Sequence, residues 1–205
     1  MAEDYFKDLK AAPYPLFVAP RPYSFDLNED MVKLIRQEFN AEVIAARFAE
    51  AIGGKAMSDV ETIGKEIFET YGESWMKRTM LLGDEYSDRT IAVVKETVDH
   101  SGAQFLLWPH VPQRFVEIAY LSTQKFLTLP IILNNQYELA YRVPECLLFS
   151  QIKEQCGDET ASLMTCKAAC LKALEILRQE LELEVDINMA ASTARDGYCE
   201  FSMKK

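Results

Sequence analysis

Leu183-Glu184-Val185-Asp186-Ile187-Asn188-Met189, Ser192-Thr193-Ala194-Arg195-Asp196-Gly197 and Tyr198-Cys199-Glu200-Phe201-Ser202-Met203 follow one another near the end of the chain. In the first run apolar and polar residues alternate, the period of a strand with one buried face. The second run is a turn, closed most simply by Asp196-Gly197. In the third, Cys199 shares a face with Phe201 and Met203, so the three together predict an antiparallel hairpin.

Upstream of the hairpin the period lengthens. Leu163, Cys166, Cys170, Leu174, Leu177 and Leu181 recur at the spacing of one helical face, predicting a helix from about Asp158 with Cys166 and Cys170 on its core side. Before it stands Arg142-Val143-Pro144-Glu145-Cys146, where Pro144 suits the first helical position and Cys146 falls in the first turn. That helix carries Leu148, Phe149, Ile152 and Cys156 and stops at Gly157. Ahead of it, after an Asn134-Asn135 turn, Tyr137, Leu139, Tyr141 and Val143 alternate as a strand.

The first half reads as helical. Asn28 caps a short helix marked by Met31, Leu34, Ile35 and Phe39. A second runs through Val43, Ile44, Phe48 and Ile52 to Gly53-Gly54. Ser58 caps a longer one with the stripe Val60, Ile63, Ile67, Tyr71 and Trp75, ending near Gly83, and Ser87 caps another running to Gly102. Phe105 to Trp108 predicts a short strand closed by Pro109, while residues 113 to 123 fit a strand and a helix equally. Residues 1 to 24, with Pro13, Pro15, Pro20 and Pro22 among aromatic and aliphatic residues, predict an extended arm lying across the domain or a dimer partner. The expected fold is α+β: a helical N-terminal half packed on a small, mainly antiparallel sheet, with a C-terminal helix pair and a closing β-hairpin. One domain spans residues 25 to 205.

With 205 residues, 49% of them hydrophobic, the chain buries a substantial core. A net charge of −10 with no basic run opposes binding to nucleic acid or an anionic membrane. The opening residues show neither a charged n-region nor an apolar h-region, and no apolar segment is long enough to span a bilayer, so a cytoplasmic protein is expected. The five cysteines, Cys146, Cys156, Cys166, Cys170 and Cys199, then read as free thiols.

Those cysteines all fall after residue 141, and chemistry is sought there. No phosphate loop, dinucleotide-binding glycine pattern, nucleophile elbow or zinc-finger spacing is present. His100 and His110 belong to no metal-binding pattern. Cys166 and Cys170 favour core packing over a soft-metal pair, as does Cys199 beside Phe201. Cys146 is the thiol with a local reason to ionise, because a helix N-terminus favours an anion.

Cys146 near a helix start, Cys166 twenty residues later and the closing Arg195-Asp196-Gly197-Tyr198-Cys199-Glu200-Phe201 resemble the L-2-amino-thiazoline-4-carboxylic acid hydrolase family. The closing hairpin is also similar to that of vinyl-reductase-type small-molecule-binding domains. The chain departs from the first pattern at Ala169, where the family tends to carry an acidic residue, and at Arg195, where it tends to carry glycine. The resemblance implies hydrolytic opening of a C–N bond in a small cyclic amidine, giving a carbamoyl-cysteine type product. Cys146 would be the thiolate nucleophile, Asp196 or Glu145 would handle protons, and Cys166, Cys199, Tyr141, Arg142 and His110 are the candidates for holding substrate. It names no cofactor, and a homodimer is the expected assembly. The rival reading is a non-catalytic domain holding a hydrophobic or tetrapyrrole-like ligand among the aromatic residues of positions 105 to 143.

Overall fold

The computed structural model describes residues 21–22, 25, 27–86, 88–103 and 107–205. The Ser87 cap, the Phe105-Leu106 part of the expected strand and all of the expected arm but Arg21 and Pro22 lie outside the described residues. Strands β1 (Arg21–Pro22), β2 (Pro130–Asn134), β3 (Glu138–Val143), β4 (Asp186–Ala191) and β5 (Cys199–Lys204) form one sheet in the order β1-β2-β3-β5-β4. Every neighbouring pair is antiparallel.

Alternation places Leu139, Tyr141 and Val143 of β3 and Cys199, Phe201 and Met203 of β5 on the buried face. Tyr141 stands opposite Phe201 in the register, and their rings stack at 5.6 Å. Arg142 and Glu200 pair at 2.8 Å on the other face. Between β4 and β5 the chain makes a single turn, α8 (Thr193–Asp196), and leaves it through Gly197 at φ 80, a conformation that glycine adopts without strain.

Among the described residues seven longer helices pack on the inner face of the sheet or on one another: α1 (Glu29–Glu38), α2 (Ala41–Ile52), α3 (Met57–Glu85), α4 (Arg89–Ser101), α5 (Leu107–Thr123), α6 (Leu147–Ser162) and α7 (Lys167–Glu180). The architecture is thus an α+β fold with N-terminal helices on a small sheet and C-terminal helix and hairpin elements. Asn28 caps α1 by accepting the N–H groups of Asp30 and Met31. Gly102 closes α4 in the left-handed conformation. Among the described residues no helix is long and apolar enough to cross a membrane.

Several local expectations are corrected. Ser58 does not cap α3, which begins one residue earlier, after Ala56. The buried stripe of α3 is not Val60-Ile63-Ile67-Tyr71-Trp75 throughout but Val60, Gly64, Phe68, Gly72, Trp75 and Met76. The glycines rotate the buried face because α7 crosses there with its backbone against α3: a Cβ on Gly72 would stand 2.1 Å from the Ala169 carbonyl oxygen. Residues 113 to 123 are helical, while Trp108, at φ −96 and ψ 131, is extended and forms a kink at the start of α5 without pairing in the sheet. Pro144 is not the first helical residue; Cys146 is the cap and Leu147 follows it. The helix expected from Asp158 to Leu181 is broken. Met164 turns at φ 54 and α7 starts only at Lys167, whereas Gly157, at φ 84 and ψ 166, ends the first stretch of α6 where a stop was expected.

Candidate functional site

Four of the five cysteines converge where α3, α5, α6, α7 and the inner face of the sheet meet. Cys146 caps α6, its sulfur accepting the Phe149 N–H at 3.5 Å. Cys170 comes from α7 and Cys199 from the start of β5. These three line a largely enclosed chamber of about 20 Å³ together with Tyr71 and Trp75 of α3, Tyr120 of α5 and Phe201. Cys166, buried just ahead of α7, lies near the other three: its thiol is pushed up first by burial and then by their proximity. Cys156 lines neither this chamber nor the groove beside it.

Aromatic rings hold the chamber open. Trp75 meets Tyr120 edge-on at 5.2 Å, Tyr120 meets Tyr141 at 5.5 Å, and Tyr71 lies 6.0 Å from Trp75. Their polar ends are the unusual part. The Trp75 indole N–H and the Tyr120 and Tyr141 hydroxyls are buried with no hydrogen-bond partner among the described residues. The Tyr120 hydroxyl neighbours the Cys170 thiol and the Tyr141 hydroxyl, but not in hydrogen-bond geometry with either. Gln124 closes one side of the chamber, its Oε1 accepting the Leu147 N–H at 2.8 Å.

On the outside lies an open groove of about 660 Å³, lined by Glu145, Cys146, Phe149, Lys153, Thr193 and Gly197 among others. Cys146 belongs to both spaces, forming a wall between them. A second bridge stands beside it: Thr193 of the groove and Cys199 of the chamber are joined by an Oγ1 to Sγ hydrogen bond of 3.1 Å. A molecule in the groove therefore meets the Cys146 end of the chamber.

Electrostatics corrects one expectation. Burial pushes the Cys146 thiol up to about 11, and the Phe149 N–H at the helix start offsets only part of that rise. Cys146 is thus a neutral thiol at pH 7, not a resting thiolate. Burial likewise raises Cys170 and Cys166, and holds the Tyr120 and Tyr141 phenols well above their usual range.

The structure brings Cys146 and Glu145 into one groove, and Cys146 and Cys199 into one chamber. Asp196 sits in the turn beside them with its carboxylate already engaged. It accepts Arg195 Nε at 2.9 Å and the Ser192 N–H at 2.8 Å, which hold it below the usual carboxylate range. Tyr141 is fully buried behind Tyr120. Arg142 projects from the opposite face of the sheet, paired with Glu200 and 4.1 Å over the Tyr198 ring. His110, half-buried on the first turns of α5, lines neither groove nor chamber. Among the described residues no group of three or more His, Cys, Asp or Glu side chains is placed to hold a metal ion.

Sequence reading missed Trp75 as a site residue, because it reads simply as core, and reached Tyr120 only as one of the aromatic residues of positions 105 to 143. It also missed a second buried polar cluster, one to two turns before Tyr120 on α5. Glu117, fully buried, accepts Gln113 Nε2 at 2.7 Å, and Gln113 in turn accepts a hydrogen bond from Asn134 of β2. Glu117 also receives the Phe25 N–H, while its second oxygen has no side-chain donor. Burial raises this carboxyl to about 8. Nearby, Asp88 caps α4 and faces the buried Arg114 guanidinium at 3.7 Å. Compared with known proteins, the chain matches no family model, no curated protein and no solved structure.

Proposed function

We propose that the groove over Cys146 is the site of a small-molecule hydrolase, which opens a C–N bond of a small cyclic amidine of the thiazoline type. One observation carries the reading: Cys146 is the single thiol shared by an open groove and an enclosed chamber lined with unpartnered donors. A nucleophile in that position meets a ligand from the solvent side and has a protected space behind it. The resemblance of the cysteine layout to the thiazoline hydrolases supplies the reaction class.

In the proposed reaction the Cys146 sulfur bonds the ring carbon between nitrogen and sulfur, and the ring C–N bond breaks with its electron pair on nitrogen. That nitrogen leaves as an amine, taking the thiol proton and one proton from the exocyclic amino group. Glu145, in the same groove, relays the thiol proton. Asp196 is less suited to the relay because Arg195 and Ser192 occupy its oxygens. Water then adds to the thioimidate carbon, one of its protons goes to the imine nitrogen and the other to the departing sulfur, and the carbamoyl-cysteine type product leaves a restored thiol.

Ring opening of 2-aminothiazoline-4-carboxylate, followed by product mass, tests the reading. Cys146→Ala should lower the rate by ~10³-fold or more, as loss of a nucleophile does. Because the thiol stays protonated until about pH 11, the wild-type rate should climb through the alkaline range rather than level off near neutrality. Turnover unchanged in Cys146→Ala would remove the nucleophile, and no turnover at any pH would remove the reaction. The closed, aromatic character of the chamber favours a second reading, a domain that holds a small ligand without converting it. A ligand retained through purification and seen by native mass spectrometry would be its signature.

A further inference from the structure

A buried donor without an acceptor is rare, since most buried polar groups in folded proteins are paired with protein, water or ligand. The chamber wall carries two. The Trp75 side chain can only donate, through its indole N–H, and a tyrosine hydroxyl must donate to something when its own environment offers no aligned acceptor. Trp75 and Tyr120 are each 3% exposed, so bulk solvent does not satisfy them. They belong to different helices, α3 and α5, meet edge-on at 5.2 Å, and both side chains line the same small space. Its volume of about 20 Å³ suits one acceptor atom and its immediate substituent, since a single water needs ~10–15 Å³ on the same measure. A five-membered ring does not fit there and stays in the groove.

We infer that the chamber is a binding site for one hydrogen-bond acceptor atom of a small uncharged ligand, received jointly by the Trp75 indole N–H and the Tyr120 hydroxyl behind Cys146. The ligand class follows from the walls. Three thiols and aromatic rings offer no charge to match an ion, so the group received is a neutral carbonyl or imine. The inference deepens the hydrolase reading, on which only the ligand's identity rests. In that reading the acceptor is the exocyclic nitrogen once the ring C–N bond has broken and it has become the imine of the thioimidate, whose charge grows as water attacks the adjacent carbon. Two donors preset around it would act as an oxyanion hole acts on a carbonyl oxygen.

The test uses formamide, which presents one carbonyl on a body of three non-hydrogen atoms. The chain has two tryptophans, Trp75 and Trp108, so its indole N–H region in a proton–nitrogen NMR spectrum holds two resonances, assigned with a Trp108→Phe variant. Saturable movement of the Trp75 resonance with formamide, while that of Trp108 stays still, is the expected result. Tyr120→Phe should weaken the formamide site about tenfold, the effect of losing one hydrogen bond. In ring opening it should lower kcat by ~10²-fold while leaving KM nearly unchanged. No saturable shift of Trp75 would overturn the inference, as would an equal shift of both tryptophans, and neither result depends on a variant that folds. Failures separate cleanly. A formamide shift without ring opening keeps the chamber and removes the hydrolase; ring opening at full rate in Tyr120→Phe keeps the hydrolase and removes the donor pair.

Discussion

Helices α3 and α7 run against each other at two levels, and the levels are built on opposite plans. At Gly72 the backbones are so close that an added Cβ would stand 2.1 Å from the Ala169 carbonyl oxygen. Less than one turn further along, Trp75 of α3 and Cys170 of α7 line an internal space of about 20 Å³. The same two helices pack to the backbone in one place and leave a gap in the next. The gap is therefore no sign of loose packing: rings from α3, α5 and β3, set edge-on or tilted, prop it open, and the donors at their tips are left without acceptors. Close packing at the first level fixes the rings at the second.

The comparison breaks first at its tight end. Gly72→Ala puts a methyl where the Ala169 backbone stands, and neither helix backbone can yield without shifting its whole face. Overpacking of this kind costs roughly 3 kcal/mol or more, and urea denaturation should show the loss as a lower midpoint with unchanged slope. A variant as stable as wild type would mean that the two helices are free to separate, and that the chamber volume is not fixed by the crossing.

One turn before Tyr120 on α5, Glu117 extends the comparison from neutral orphans to an ionisable one. In the folded chain this carboxyl keeps its proton up to about pH 8, whereas its ordinary value is 4.5. Burial is the main cause; the Asp88 carboxylate adds to it, while Gln113 and the Phe25 N–H oppose it. Between those two pH values the folded state holds a proton that the unfolded state has released. The Glu117 contribution is therefore complete below about pH 4.5, and declines by about 1.4 kcal/mol per pH unit as pH rises toward the folded value. Glu117→Gln should remove that slope. Stability curves for wild type and variant that run parallel from pH 5 to pH 8 would show that Glu117 is ionised in the fold.

The loose end should tolerate what the tight end does not. Cys170→Val adds one carbon beside a space able to take it, and is expected to change stability by less than about 1 kcal/mol. It should also compress the formamide site, so that the Trp75 indole no longer responds. A loss as large as that for Gly72→Ala would mean that the chamber closes in solution.

How much of this was legible beforehand follows the same division. The strands β3, β4 and β5 could be read because each buries one face, and alternation survives when only one face is buried. α5 could not, because Gln113 through Tyr120 are all buried, and a helix buried all round shows no stripe to tell it from a strand. The buried face of α3 was misread because Gly64 and Gly72 have no apolar side chain to count, although their smallness is what lets α7 approach. Cys146 was legible as the cysteine at a helix start. Its titration was not: the dipole argument concerns the helix end alone, and the decisive term is burial by α3, α7 and β5, which no local pattern contains. Trp75 was hidden for the same reason, since the chamber exists only after α3, α5, α6, α7 and the sheet have packed.

The weakest effect expected lies on the far face of the sheet. Arg142 was a candidate from sequence for holding substrate, yet alternation within β3 sends its side chain away from Tyr141 and the chamber. There its Nε and Nη2 donate to Glu200 Oε2 at 3.1 and 2.8 Å, and the guanidinium covers the Tyr198 ring. Its side chain is 36% exposed, so solvent screens the ion pair, and Arg142→Ala should cost less than about 1 kcal/mol. If the sheet separates the two faces, the variant should open the thiazoline ring at the wild-type rate and keep the Trp75 indole resonance in place. A rate reduced tenfold with unchanged stability would instead place Arg142 within reach of substrate, and the site would then have to extend around the β5 edge of the turn rather than end at the groove over Cys146.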